Sequence, residues 1–111
     1  MYIEFDSNSK CTILEHSAFS NTWLEEFTVP ASVLHIDSDC FSGCAALTKF
    51  TLGPNVQSIS SAVFANCNQL KEIHFVGTMK EFDYLDSQSD KNWWRWSSVE
   101  TVKCLDGEVV I

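Results

Sequence analysis

The stretch that decides the fold runs from Phe27 to Glu72, and it is one pattern written twice. Residues 27–49 read FTVPASVLHIDSDCFSGCAALTK, and residues 50–72 read FTLGPNVQSISSAVFANCNQLKE. Phe27, Phe50 and Ile73 open successive copies at intervals of 23 residues. Other apolar positions keep step: Val29 with Leu52, Val33 with Val56, Ile36 with Ile59, Phe41 with Phe64, Cys44 with Cys67, Leu47 with Leu70. Apolar residues held at fixed phases over this period mark a stacked-repeat architecture, in which each unit buries its apolar face only against its neighbours.

Upstream of this stretch the pattern is degenerate. Ile13 matches Ile36 and Leu24 matches Leu47, while Ala18-Phe19 stand one residue away from the phase of Cys40-Phe41. An insertion and a deletion that cancel account for this. The expected core is three ladders: Ile13, Ile36, Ile59; Phe19, Phe41, Phe64; and Leu24, Leu47, Leu70. Tyr2-Ile3-Glu4-Phe5 alternates and reads as a further strand, followed by a polar turn at residues 6–10.

Downstream the repeat fades after Phe75. Met79 and Phe82 hold the phases of Val33 and Ile36, but nothing matches Phe41, Cys44 or Leu47. Thr78-x-x-Glu81 has the form of a capping box opening a short helix. Residues 86–92 are polar and read as a loop. Residues 97–111 read as a hairpin with Asp106-Gly107 as its turn. The expected organisation is one domain over residues 1–111: a degenerate first repeat (1–26), two regular repeats (27–72), and a fading repeat with a cap (73–111).

Each repeat holds two extended pieces. Leu24 to Val29, Leu47 to Leu52 and Leu70 to Phe75 share an L-x-x-Φ-x-Φ cadence, with Φ an apolar residue. Its apolar residues point inward, so Glu26, Lys49 and Glu72 point out, as do Thr28, Thr51 and His74. With strands about 4.7–4.9 Å apart, these residues form two columns on one parallel sheet. Val33 to Ile36 and Val56 to Ile59 lie on another face, and Pro30 and Gly53-Pro54 punctuate the bend.

The pattern V-P-x-S-V-x-x-I-x-x-x-x-F-x-x-C-x-x-L, carried by Val29, Pro30, Ser32, Val33, Ile36, Phe41, Cys44 and Leu47, resembles the BspA-type leucine-rich repeats. Phe5 to Lys10 is similar to that family's inter-repeat turn. Gly77 to Phe82 and Val102 to Gly107 are similar to the segment that closes such arrays. The resemblance implies a β-dominated solenoid: a short right-handed coil of about three 23-residue repeats with a C-terminal cap hairpin. It also implies a non-catalytic recognition module of a surface protein that contacts host proteins, matrix or other cells.

Composition narrows the partners. With 45% hydrophobic residues the 111-residue chain has ordinary globular composition. Its net charge of −8 argues against nucleic acid, whose binders cluster Lys and Arg. Apolar runs fall far short of a membrane span of about 20 residues. The start, MYIEFDSNSK, has neither a basic opening nor an apolar run and does not read as a signal peptide. The expectation is a chain that is not secreted as it stands, and so cytoplasmic, or one cut from a longer surface protein. The N-terminal end carries no cap in the sequence, so it is expected either to continue upstream or to pair with another molecule.

Candidate chemistry is sparse. Cys40, Cys44, Cys67 and His35 supply only one short metal-ligand spacing, so no metal site is expected. Cys44 and Cys67 share a phase, which points to a packed column of thiols; a disulfide is disfavoured because stacked side chains run parallel. His16, His35 and His74 stand in no nucleophile context, and His35 and His74 read as solvated surface residues. Carboxylate pairs face no cleft. Gly43, Gly53, Gly77 and Gly107 are isolated, so no phosphate loop exists. No catalytic residue and no cofactor is expected. Trp93-Trp94-Arg95-Trp96 either seals the last repeat, with at least two tryptophans turned inward, or leaves an exposed anchor. The candidate binding residues are the two columns, Glu26, Lys49, Glu72 and Thr28, Thr51, His74, together with Trp94 and Trp96. A protein or matrix ligand fits the columns, a carbohydrate would stack on the tryptophans, and a purely structural cap of a longer array is the remaining reading.

Overall fold

A computed structural model describes residues 10–111. The strand expected at residues 2–5 and most of the following turn lie outside the described residues. Eight strands and one helix follow in order: β1 (Ile13–Leu14), β2 (Glu26–Thr28), β3 (His35–Ile36), β4 (Lys49–Leu52), β5 (Ser58–Ile59), β6 (Glu72–Phe75), α1 (Met79–Gln88), β7 (Thr101–Cys104) and β8 (Gly107–Val110).

From β1 to β6 each strand pairs with the strand one repeat away and not with the next strand; β6 then pairs with β7 across α1, and β7 with β8 in a hairpin. A three-stranded sheet orders β1-β3-β5, and a five-stranded sheet orders β2-β4-β6-β7-β8. All pairings are parallel except β7 with β8. The repeat phases are therefore the sheet registers: Phe27 pairs with Phe50 and Phe50 with Ile73. In-phase apolar residues stack between the two sheets and the connecting turns. Leu24, Ile36, Phe41, Leu47, Phe50, Ile59, Phe64, Leu70 and Ile73 are essentially inaccessible to solvent. Phe19 stacks on Phe41 at 5.3 Å between ring centroids, and Phe41 stacks on Phe64 at 5.9 Å.

The first repeat departs from expectation. Ile13 pairs with His35 and is 45% exposed, while Leu14 pairs with Ile36 and is buried. Leu14, not Ile13, is the head of the isoleucine ladder. With Leu14 in place, Leu14 to Phe19 spans the same interval as Ile36 to Phe41, and no insertion exists. One deletion remains, between Phe19 and Leu24. Thr22 stands at the cysteine phase, 3.5 Å from Cys44 Sγ.

The third side of each repeat is a tight turn that twice enters the left-handed region. Ser17, Asp39 and Ala62 share one such position. Asn21, Gly43 and Asn66 share the other. Short polar residues and glycine suit this conformation best, which explains most of the choices. At Gly43 (φ +76°) there is a second reason: a Cβ would collide with the Asn21 side chain.

The tail is a longer fourth turn of the same path. The capping box forms: Thr78 Oγ1 accepts from Glu81 N at 3.1 Å, and Glu81 Oε1 accepts from Thr78 N at 3.0 Å. The helix it opens runs to Gln88, so residues 86–88, expected in a loop, are helical. Ser89 Oγ accepts from Ile59 N, and Asp90 N donates to Ile59 O, which sets the end of α1 against β5, where a fourth short strand would pair. After this detour the register resumes, with Ile73 pairing Val102 across 29 residues. At that offset Trp93 takes the phase of Phe64 and Val99 that of Leu70. Both are buried, and Trp93 meets Phe64 edge-on at 6.3 Å. The ladders that seemed to end at Phe64 and Leu70 thus continue for one more step. The hairpin turn is Leu105-Asp106, not Asp106-Gly107, because Gly107 pairs with Cys104.

Candidate recognition surface

Strand alternation builds the candidate surface. Phe27, Phe50, Ile73 and Val102 point into the core, so their neighbours on either side point out. Register places Glu26 beside Lys49 and Glu72 beside Thr101 and then Val110, in one column. It places Thr28, Thr51, His74, Lys103 and Glu108 in the other. All six column residues expected from the sequence share this outer face. Glu26, Thr28, Lys49 and His74 are exposed, while Thr51 and Glu72 are half-buried. Sequence reasoning missed the two further rungs, Thr101-Lys103 and Val110-Glu108. The buried phase of Val102 was the available signal, hidden by the 29-residue last turn.

The charges gather at one end. Glu72 Oε2 lies 2.9 Å from His74 Nε2, and Glu72 Oε1 lies 3.8 Å from Lys103 Nζ. Glu72 thus links His74 on its own strand to Lys103 on β7. Exposed pairs of this kind contribute about 0–1 kcal/mol, so they shape the face more than they hold the fold.

The tryptophans divide. Trp93 is buried, packs on Phe64 and Phe82, and donates from Nε1 to Asp86 Oδ1 at 2.7 Å. Trp94 is 37% exposed and Trp96 63% exposed, with the Arg95 guanidinium 5.8 Å from the Trp96 ring centroid. One tryptophan of the cluster seals the end and two are exposed, so of the two readings the one with at least two turned inward fails. The segment is a turn with positive φ at Trp96, so strand alternation does not govern it. Trp23, not singled out in the sequence, is 74% exposed.

His35 is half-buried, not solvated. Its Nδ1 lies 2.6 Å from Ser58 Oγ and its Nε2 3.0 Å from Ser60 Oγ, so both ring nitrogens are engaged within the small sheet. Cys40, Cys44 and Cys67 are buried, and the five cysteines form no disulfide with one another. Cys44 donates to Phe19 O at 3.1 Å and Cys67 to Phe41 O at 3.0 Å, each to the preceding repeat. Burial pushes the Cys40 thiol up to about 12. Cys67 is raised by its neighbour Cys44 and then by burial. Among the described residues no group of three or more His, Cys, Asp or Glu could hold a metal ion. No helix among them is long and apolar enough to cross a membrane.

Parallel ladders with a 22–23-residue step, a phenylalanine column and a cysteine column define a repeat protein with one outer sheet face. The model of the BspA type leucine rich repeat region matches residues 2–86 in six copies, and the chain belongs to that family. Its repeats are generally protein-interaction modules without catalysis. No curated protein and no solved structure matches the chain.

Proposed function

We propose that this chain is a short right-handed solenoid, one domain over residues 1–111, acting as a non-catalytic recognition module of a cell-surface protein. Its ligand is a host protein, a matrix protein or another cell's surface protein. The outer face of the five-stranded sheet is the contact surface, with Glu26, Thr28, Lys49, Thr51, Glu72 and His74 at its centre. The observation that carries this reading is the face itself: two in-register columns of mainly polar and charged side chains on one sheet, parallel from β2 to β7. Right-handedness follows from the parallel connections, since β-crossover-β units within one sheet are right-handed in about 98% of cases. The test is binding of the immobilised chain to a panel of purified matrix proteins. Lys49→Glu combined with His74→Ala should abolish capture while leaving the thermal melt unchanged. Equal capture by the double variant rejects the face as the contact surface.

A second reading is favoured by the exposure of Trp94 and Trp96. A carbohydrate stacking there would quench tryptophan fluorescence on titration with oligosaccharides, and Trp96→Ala would remove the response.

A further inference from the structure

Among the described residues β8 is the last strand of the five-stranded sheet and pairs on one side only, with β7. The hairpin fixes which of its backbone groups are used. Cys104 pairs with Gly107, Val102 with Val109, and Ile111 N donates to Glu100 O at 2.9 Å. In an antiparallel pair hydrogen-bonded residues alternate. Gly107, Val109 and Ile111 therefore turn their N–H and C=O groups toward β7. Glu108 and Val110 turn theirs away, which leaves two donors and two acceptors in a row on the open edge.

The side chains along that edge differ in chemistry. Glu108 and Val110 lie on the outer face, and Val110 is 79% exposed. Val109 and Ile111 point the other way and pack against the core. Glu108 is exposed; Asp106, two residues before it, is also exposed and accepts from Met79 N, and the exposed Glu100 lies opposite Ile111 at the far end of the hairpin. Lys103, across from Glu108 on β7, is drawn to Glu72. The whole chain carries −8. A second copy of such a chain would bring like charge to this edge, whereas a cationic strand would be attracted to it.

We propose that the β8 edge binds an extended cationic peptide segment by strand addition, as an antiparallel sixth strand. The backbone of Glu108 and Val110 makes the main-chain bonds. An apolar peptide residue lies beside Val110, a lysine or arginine beside Glu108, and the residue between them is apolar against Val109. This surface is the rim of the sheet and is separate from the outer face proposed above.

The probe is a blocked pentapeptide with two adjacent valines followed by lysine, titrated into the full chain and followed by amide chemical shifts. Shifts confined to β8 and its turn are expected. Replacing the lysine by glutamate should weaken binding about fivefold, the span of an opposite-charge cross-strand pair. Glu108→Lys should reverse that preference. Val110→Pro removes one outward N–H without touching the β7 ladder and should abolish binding. N-methylating the two peptide amides that face β8 should do the same with the unaltered chain, so the test stands even where the proline variant fails to fold. Lys49→Glu with His74→Ala should leave this binding intact, so the edge and the face fail separately. No shift at millimolar peptide, equal binding of the N-methylated peptide, or a dimer that Val110→Pro dissolves would each overturn the proposal.

Discussion

Phe41→Ala is the substitution that bears hardest on the stacked core. Phe41 is fully buried and touches four other rings. It stacks on Phe19 at 5.3 Å and on Phe64 at 5.9 Å, and it meets Phe27 at 4.8 Å and Phe50 at 5.0 Å edge-on. Truncating a buried phenylalanine costs about 3–5 kcal/mol. Ring pairs add about 0.5–1.5 kcal/mol each beyond buried area, which puts this site at the upper end. Domains of this size hold about 5–15 kcal/mol in total, so the variant loses a large share of its stability. At roughly 4 °C per kcal/mol the melting temperature should fall by about 20 °C. Phe19→Ala is the internal comparison. Phe19 is half-buried and contacts two of these rings, so its loss should cost less than half as much. Far-UV circular dichroism melts of the three proteins decide the matter. A Phe41→Ala melt within about 2 °C of the parent, or a Phe19→Ala loss as large as that of Phe41→Ala, would refute the ladder as the source of stability.

Two further tests address the first repeat and the thiols. Leu14→Ala should cost about 2–5 kcal/mol, whereas Ile13→Ala should stay within about 0.5 kcal/mol in urea unfolding; the reverse order would restore Ile13 to the core. Burial pushes the Cys40 thiol up to about 12, from an ordinary value near 9.0, so the folded state holds the proton more tightly. Its contribution is full below pH 9 and is lost as pH rises toward 12, because the unfolded chain ionises first. Cys40→Ala should therefore show a shallower loss of stability above pH 9 than the parent, and parallel alkaline melt curves would contradict the assignment. In the same preparations a thiol reagent should label Cys11 and Cys104 in the native state, and Cys40, Cys44 and Cys67 only after unfolding.

Much of this protein can be read directly from residue spacing. In a stacked repeat, phase along the chain is position in the stack. The 23-residue interval from Phe27 to Phe50 to Ile73 is thus the sheet register itself, and the inward residues of one repeat name those of the next. The capping box at Thr78 and Glu81 is equally local, because each partner bonds the other's backbone three residues away. The outward columns follow from strand alternation alone. What spacing could not decide is where the phase breaks. Whether Ile13 or Leu14 faces inward depends on which one the pairing of β1 with β3 turns toward Ile36. Two adjacent apolar residues leave that choice to the neighbouring strand. The helix lengthens the last turn to 29 residues, so Trp93 and Val99 sit in the ladders at an interval no repeat template contains. Trp93 turns inward while Trp94 and Trp96 face water because a tight turn, and not a strand, carries them past the end of the core. His35 is drawn against Ser58 and Ser60 by sheet pairing across 23 and 25 residues. The sequence by itself determined the period, the family and the face. The tertiary structure decided the breaks in register, the one buried tryptophan and the open β8 edge, since each depends on contacts between segments whose spacing follows no fixed interval.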